Sequence, residues 1–331
     1  MPDSMAAPEP GEPSDDSLHP WRPSYIRSMR VDTMLVAVDF SDTATEAARW
    51  AIRVFAPSAR VVLLHVIDPP DRPRFARDRL PPEGTFEDIA REHATGRLRE
   101  LTERLGHADV RIEIRTGKPY EQVAAVATEV GATMVVIGPH GDRPRPAKFL
   151  GTTADRIART SPVPVLVVTS PPTQPPKRLL VPVQDALLTP RLMEWTSALA
   201  EQFDARVTLL HVWSNAVYSH VASMSYARKP TEAEAKEAIT KELRDAATEW
   251  LEELVPAGAA RHRFAATVSY GRAGDVALDQ AGEIDADLII IGRSGSGLLM
   301  PALLGSTTNT VLHGARCPVL VVTRDGDGSP S

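Results

Sequence analysis

Short apolar runs punctuate this chain, and none of them alternates with polar residues. MLVAVD (Met34–Asp39), VVLLHV (Val61–Val66), GATMVVIG (Gly131–Gly138) and PVLVVT (Pro164–Thr169) occupy the first half. LLVPVQ (Leu179–Gln184), VTLLHV (Val207–Val212), DADLIIIG (Asp285–Gly292) and a second PVLVVT (Pro318–Thr323) occupy the other. Runs rich in Val, Ile and Leu without alternation predict strands covered on both faces, as a parallel sheet requires. Between them the apolar spacing becomes helical. Thr43-Ala-Thr-Glu46 fits a capping box opening a helix whose inner positions are Ala48, Ala51, Ile52 and Phe55. Thr189-Pro190 supplies an N-cap followed by Pro at the first helical position. A long helix is predicted over Thr231–Leu254, with i,i+4 pairs such as Glu232–Lys236 on a solvated face. Each half then reads β-α-β-α-β-α-β-α-β, a five-stranded doubly wound α/β unit.

The runs also repeat. MLVAVD returns as LLVPVQ 145 positions on, and VVLLHV as VTLLHV at 146. Thr116-Gly117-Lys118 answers Tyr270-Gly271-Arg272 at 154, and the two later pairs keep that offset of 154. Five segments in the same order predict a tandem duplication, with about eight extra residues between the second and third strands of the second copy. The chain therefore divides into a tail at 1–29 rich in Pro, Ser, Asp and Glu, a first domain at 30–170, a proline-rich linker at 171–176, a second domain at 177–324, and a short tail at 325–331.

Composition narrows the classes. A chain of 331 residues, 43% of them hydrophobic, is long and apolar enough for two packed domains. The 37 basic residues face 43 acidic ones, a net charge of -6, so no surplus points to nucleic acid or an anionic membrane. The single cysteine, Cys317, cannot close a disulfide within the chain. No apolar run approaches the roughly 20 residues of a membrane span. The N-terminal residues show no basic stretch followed by an apolar one, so no secretory signal is predicted and the expected location is cytoplasmic.

In doubly wound sheets, ligands lie past the C-terminal ends of the strands, where the strand order reverses. After the fourth predicted strand the first copy reads Gly138-Pro-His-Gly141, nine residues, then Gly151-Thr152; the second reads Gly292-Arg-Ser-Gly295, nine residues, then Gly305-Ser306. The pattern G-x2-G-x9-G-[ST] thus occurs twice. Glycines at a strand end let backbone N–H groups approach a ligand. Gly151-Thr152-Thr153 and Gly305-Ser306-Thr307 open predicted helices, whose free N–H groups and positive dipole end suit phosphate oxygens, with the hydroxyls as further donors. Asp39, ending the first strand, is placed to accept hydrogen bonds from a nucleoside. Together these groups predict a nucleotide site.

The strand order, LLHV in the second strand, the doubled glycine pattern and the closing PVLVV resemble the universal stress protein family in tandem form, over about 30–170 and 177–324. The resemblance implies a Rossmann-like fold of the adenine nucleotide alpha hydrolase type, bound ATP, and in many members a divalent ion, Mg2+ or Mn2+, on the phosphates. It implies a stress-response regulator with little turnover of its own. In the first copy it assigns Asp39 and the main chain of Val66 to the nucleoside, and Gly138, Gly141, Gly151, Thr152 and Thr153 to ribose and phosphates. In the second copy the matches are Val212, Gly292, Gly295, Gly305, Ser306 and Thr307. It assigns no catalytic residue and no metal ligand from the protein. Dimerisation through the last strand is the family habit. Here Val165–Val168 and Val319–Val322 could serve a homodimer or pair with each other inside one chain. A signalling partner protein is implied but not identified.

Some positions depart from this pattern. Gln184 stands where the first copy has Asp39, and Asp185 could replace it only with a shift of register. Pro139 is expected to remove a backbone donor from the first phosphate loop, with Arg143, Arg145 and Lys148 as compensating cations. Other chemistries fit less well. Neither G-x4-G-K-[ST] nor G-x-G-x-x-G occurs, and around Ser294 the elbow G-x-S-x-G fails at Ser296. His65 and His211 read as packing residues at strand ends, and His313 with Cys317 lacks partner ligands for zinc. Without a general base paired in sequence, binding is favoured over turnover. Slow ATP hydrolysis or nucleotidyl transfer at the same site, and a nucleotide-free interaction scaffold, are the alternative classes. The aromatic and Met-containing segment Trp213–Lys229 is expected to cover the sheet edge, with a lid or partner surface as its other reading.

Overall fold

The computed structural model describes residues 30–68, 85–141, 150–184, 189–213, 232–255, 260–293 and 304–323. The predicted tails at 1–29 and 325–331, and all of the Trp213–Lys229 segment beyond Trp213, lie outside them. The first half comprises β1 (Thr33–Ala37), α1 (Asp42–Trp50), β2 (Arg60–Ile67), α2 (Thr85–Leu105), β3 (Val110–Thr116), α3 (Pro119–Glu129), β4 (Met134–Ile137), α4 (Thr152–Thr160) and β5 (Val165–Val167). The second comprises β6 (Arg178–Pro182), α5 (Thr189–Phe203), β7 (Arg206–Trp213), α6 (Glu232–Glu253), β8 (Phe264–Tyr270), α7 (Ala273–Glu283), β9 (Leu288–Gly292), α8 (Ser306–Gly314) and β10 (Val319–Val322). The side chains of Glu232 and Lys236 are outside the described set.

Both halves are doubly wound and parallel, and they share one sheet in the order β3-β2-β1-β4-β5-β10-β9-β6-β7-β8. The seam is antiparallel: Val165, Leu166 and Val167 of β5 face Val321, Leu320 and Val319 of β10. The last strands therefore pair with each other within one chain. That pairing occupies the edges a homodimer through the last strand would need.

Successive strand residues point to opposite faces, so Met34 and Val36 enter one core while Leu35 enters the other. On the first face Trp50, Leu98, Trp195 and Leu251 bring in α1, α2, α5 and α6. On the second, Val123, Ile157, Ala277 and Val311 bring in α3, α4, α7 and α8. Each core contains residues of both halves, so neither half closes its apolar surface alone. Phe55 and Phe203 meet edge to face across the seam, their ring centroids 5.6 Å apart.

The duplication extends to the strand starts. Thr133 Oγ1 accepts from the N–H groups of Asp32 and Thr33 at 3.1 and 3.3 Å. At the matching place Asp287 Oδ2 accepts from Lys177 and Arg178, both at 3.0 Å. Burial pushes the Asp287 carboxyl up, but the Arg178 guanidinium and these two N–H groups outweigh it and leave the group below the usual carboxylate range.

One helix start differs from the capping-box expectation. The N-cap of α1 is Ser41, whose Oγ accepts from Ala44 N at 3.2 Å. Asp39 Oδ1 accepts from Ser41 Oγ at 2.6 Å and from Ser41 N at 3.0 Å, which orients the serine for the cap. Such a cap contributes about 1 kcal/mol. Thr43 is thereby released to donate to the carbonyl of His140 at 2.7 Å.

Candidate functional site

From β1 the chain passes to β2 on one side, while β4 lies on the other, so the order reverses between β1 and β4. Ligand clefts in such sheets open at that point. Here a cleft of about 490 Å³ lies over the strand ends. Val38 and Asp39 follow β1, Leu64 and Val66 lie in the last part of β2, Ile137 ends β4 and Gly138 follows it; Pro119 and Val123 of α3 and the first turns of α4 complete the wall. The structure brings together all seven residues named for the first copy: Asp39, Val66, Gly138, Gly141, Gly151, Thr152 and Thr153.

The glycines have packing reasons of their own. A Cβ on Gly138 would lie 3.1 Å from the backbone of Ala44, where β4 passes beneath α1. A Cβ on Gly141 would lie 2.6 Å from Asp39 Oδ2. Gly151 N donates to the Pro139 carbonyl at 2.7 Å, tying the two ends of the loop. Gly151 is also the N-cap of α4 and offers no side chain to the first-turn N–H groups. Gly151, Thr152 and Thr153 line the cleft, so the start of α4, where a helix carries unpaired N–H groups and its positive dipole end, forms part of the wall.

The expected cost of Pro139 is not found. At the matching position in the second half, the N–H of Arg293 donates to Val322 O at 2.8 Å, extending the sheet. A donor there belongs to the sheet ladder, so proline takes nothing from a ligand. Arg143, Arg145 and Lys148 lie outside the described residues.

The cleft has two polar residues beyond the seven expected from the sequence, Asp68 and His140. Asp68 directly follows β2, and inspecting the residue past every strand would have found it. His140 sits between the loop glycines and donates Nδ1–H to Gly141 O at 3.1 Å. The strand-end histidines are packing groups. His65 donates Nδ1–H to Val38 O at 2.8 Å and His211 to Val183 O at 3.0 Å. Burial holds His65 below the usual imidazole range, which favours that neutral donor.

In the second half, Gln184 connects two of the predicted residues. Its Nε2 donates to Val212 O at 3.3 Å, and its Oε1 accepts from Thr307 Oγ1 at 3.1 Å. Gly305 is the N-cap of α8, ahead of Ser306. Gly292 ends β9, its carbonyl accepting from Thr308 Oγ1 at 2.8 Å. Gly295 and Asp185 lie outside the described residues. Among those described, no three His, Cys, Asp or Glu side chains are grouped to hold a metal ion. Nor is any described helix long and apolar enough to cross a membrane.

Comparison with known proteins gives a consistent picture. The model of the Universal stress protein family matches the chain twice, over residues 30–169 and 176–323. Universal stress protein Rv2005c of Mycobacterium tuberculosis is 24% identical over 241 residues, spanning 71% of this chain and 77% of that protein. Universal stress protein MJ0531 of Methanocaldococcus jannaschii is 28% identical over 145 residues, covering 42% of this chain and 82% of its own length. The crystal structure of a universal stress protein from Archaeoglobus fulgidus superposes with a TM-score of 0.65 at 18% identity, over 90% of this chain and 98% of that one, and so shares the fold. The chain belongs to the universal stress protein family, carrying two copies of its domain in tandem.

Proposed function

We propose that the first half binds ATP and that the protein is a cytoplasmic, nucleotide-responsive regulator of the stress response, acting by binding and conformational change. The observation that carries this reading is the convergence of seven residues, separated by more than a hundred positions, on one cleft. Its chemistry is graded as a nucleotide requires. Leu64, Val123 and Ile137 offer apolar walls to a base beside the main chain of Val66. Asp39 keeps Oδ2 for a nucleoside donor while Oδ1 is held by Ser41. The α4 N-terminus and its two threonines accommodate phosphate oxygens. Mg2+ or Mn2+, when bound with the nucleotide, would offset the charge of the phosphate oxygens held beside Thr152 and Thr153. Binding is favoured over turnover because, among the described residues, the bond that holds His140 runs to the Gly141 carbonyl of its own loop and not to a carboxylate that would raise its basicity.

Mass spectrometry of nucleotide released from purified protein, with calorimetric titration of Mg–ATP, tests the reading. Bound or bindable ATP is expected. A stoichiometric diphosphate would favour the slow-hydrolysis class, and absence of both bound and added nucleotide would leave the interaction scaffold.

A further inference from the structure

We propose that the chain takes up one nucleotide, in the first half, and that the second half closes its own site with Gln184; this rests on the nucleotide reading above. Gln184 and Asp39 hold the same place after the first strand of their halves. Asp39 folds back, its Oδ1 accepting from Ser41 N and Oγ at 3.0 and 2.6 Å, and the space beyond it stays open. Gln184, one methylene longer and uncharged, reaches outward. Its amide donates to Val212 O at 3.3 Å and accepts from the Thr307 hydroxyl at 3.1 Å.

Both partners match residues assigned to the nucleotide in the first half. Val212 matches Val66, at the nucleoside end, and Thr307 matches Thr153, at the phosphate end. One side chain therefore bonds both the main-chain carbonyl and the hydroxyl that match the first half's nucleotide groups. No carboxylate replaces Asp39 at this position. The cation inside the second glycine loop is also committed elsewhere. Arg293 is buried and donates to the carbonyls of Arg159 and Ser161 in the first half, at 3.0 and 2.7 Å. Binding phosphate with that guanidinium would require drawing it off both carbonyls. The second half thus keeps the family's fold while Gln184 bonds two of its matching groups and its loop arginine is bonded to the first half.

Calorimetric titration of Mg–ATP into the full chain, stripped of nucleotide, decides the point. The expected stoichiometry is about one, with affinity reduced about tenfold or more by Asp39→Ala and unmoved by Thr307→Val. Gln184 is exposed, so its substitution leaves the fold intact. In Gln184→Asp a second, weaker event is expected, raising the stoichiometry toward two. Two events in the wild type would overturn the inference while upholding nucleotide binding. So would a single event lost in Thr307→Val but retained in Asp39→Ala. A stoichiometry still at one in both Gln184→Asp and Gln184→Ala overturns the role given to Gln184. No event in any form overturns the nucleotide reading, and this inference with it.

Discussion

The guanidinium of Arg293, just past β9 in the second half, donates to the carbonyl of Ser161 at the end of α4 in the first half, 2.7 Å away. It also donates to the Arg159 carbonyl at 3.0 Å, and the Arg159 side chain in turn reaches Asn309 of α8 at 2.9 Å and Asp155 one turn back at 2.8 Å. A cation at a helix C-terminus is favourable because the last carbonyls carry the negative end of the dipole. The opposite end of the same helix carries Thr152 and Thr153 into the cleft. The second half thus secures a wall of the first half's site.

Replacing Arg293 should therefore loosen the seam. Arg293→Leu removes two charge-assisted bonds and leaves carbonyls with fewer donors at a buried helix end, a loss of about 2 kcal/mol. Urea denaturation measures it, and a change below about 0.5 kcal/mol, the range of ordinary surface substitutions, would contradict the assignment.

Two glycine substitutions should behave differently. In Gly141→Ala the new methyl meets Asp39 Oδ2, the end of a side chain that can turn away, so the fold should survive. The carboxylate then leaves its place, and ATP affinity should fall about tenfold, as in Asp39→Ala. In Gly138→Ala the methyl meets the backbone of α1, which cannot give so easily, and stability should drop by about 1–3 kcal/mol. Thermal melts and titrations of both variants would reveal a reversal of this order.

The two halves should unfold together. Both cores cross the seam, and Phe55 of one half packs on Phe203 of the other. Calorimetry should show one transition, and Phe55→Ala should lower it as a whole, by about 3–5 kcal/mol. Two resolved transitions, only one of them shifted, would show independent halves.

Burial at the start of β10 pushes the Cys317 thiol up to about 12, from an ordinary 9.0. The folded chain keeps a proton that the unfolded chain loses above pH 9, so this group removes stability as pH rises from 9 to 12. The slope approaches about 1.4 kcal/mol per pH unit. At pH 8 the thiol should resist a disulfide reagent until the chain is unfolded. Rapid labelling of the native protein would contradict this burial.

Much of the fold was legible because strands buried on both faces must be apolar at every position, and Met34–Val38 or Leu288–Ile291 cannot satisfy that rule in disguise. The first-half cleft was legible in part, because its glycines, threonines and Asp39 sit at strand and helix ends that the apolar pattern marks. His140 was not legible because one polar residue in a loop carries no period, whereas Asp68 was marked by its place directly past β2. The cap of α1 was misplaced because Ser41 and Thr43 are both good N-caps, and only the Asp39 contact chooses between them.

By itself, the order of residues determined that two similar doubly wound units exist and which strand ends carry polar groups, since both follow from local spacing. The tertiary structure alone decided that β5 pairs with β10, that Gln184 spans Val212 and Thr307, and that Arg293 serves the neighbouring half. An apolar edge, an amide and a guanidinium each accept many partners. Which one they meet depends on what folding brings within about 3 Å of them.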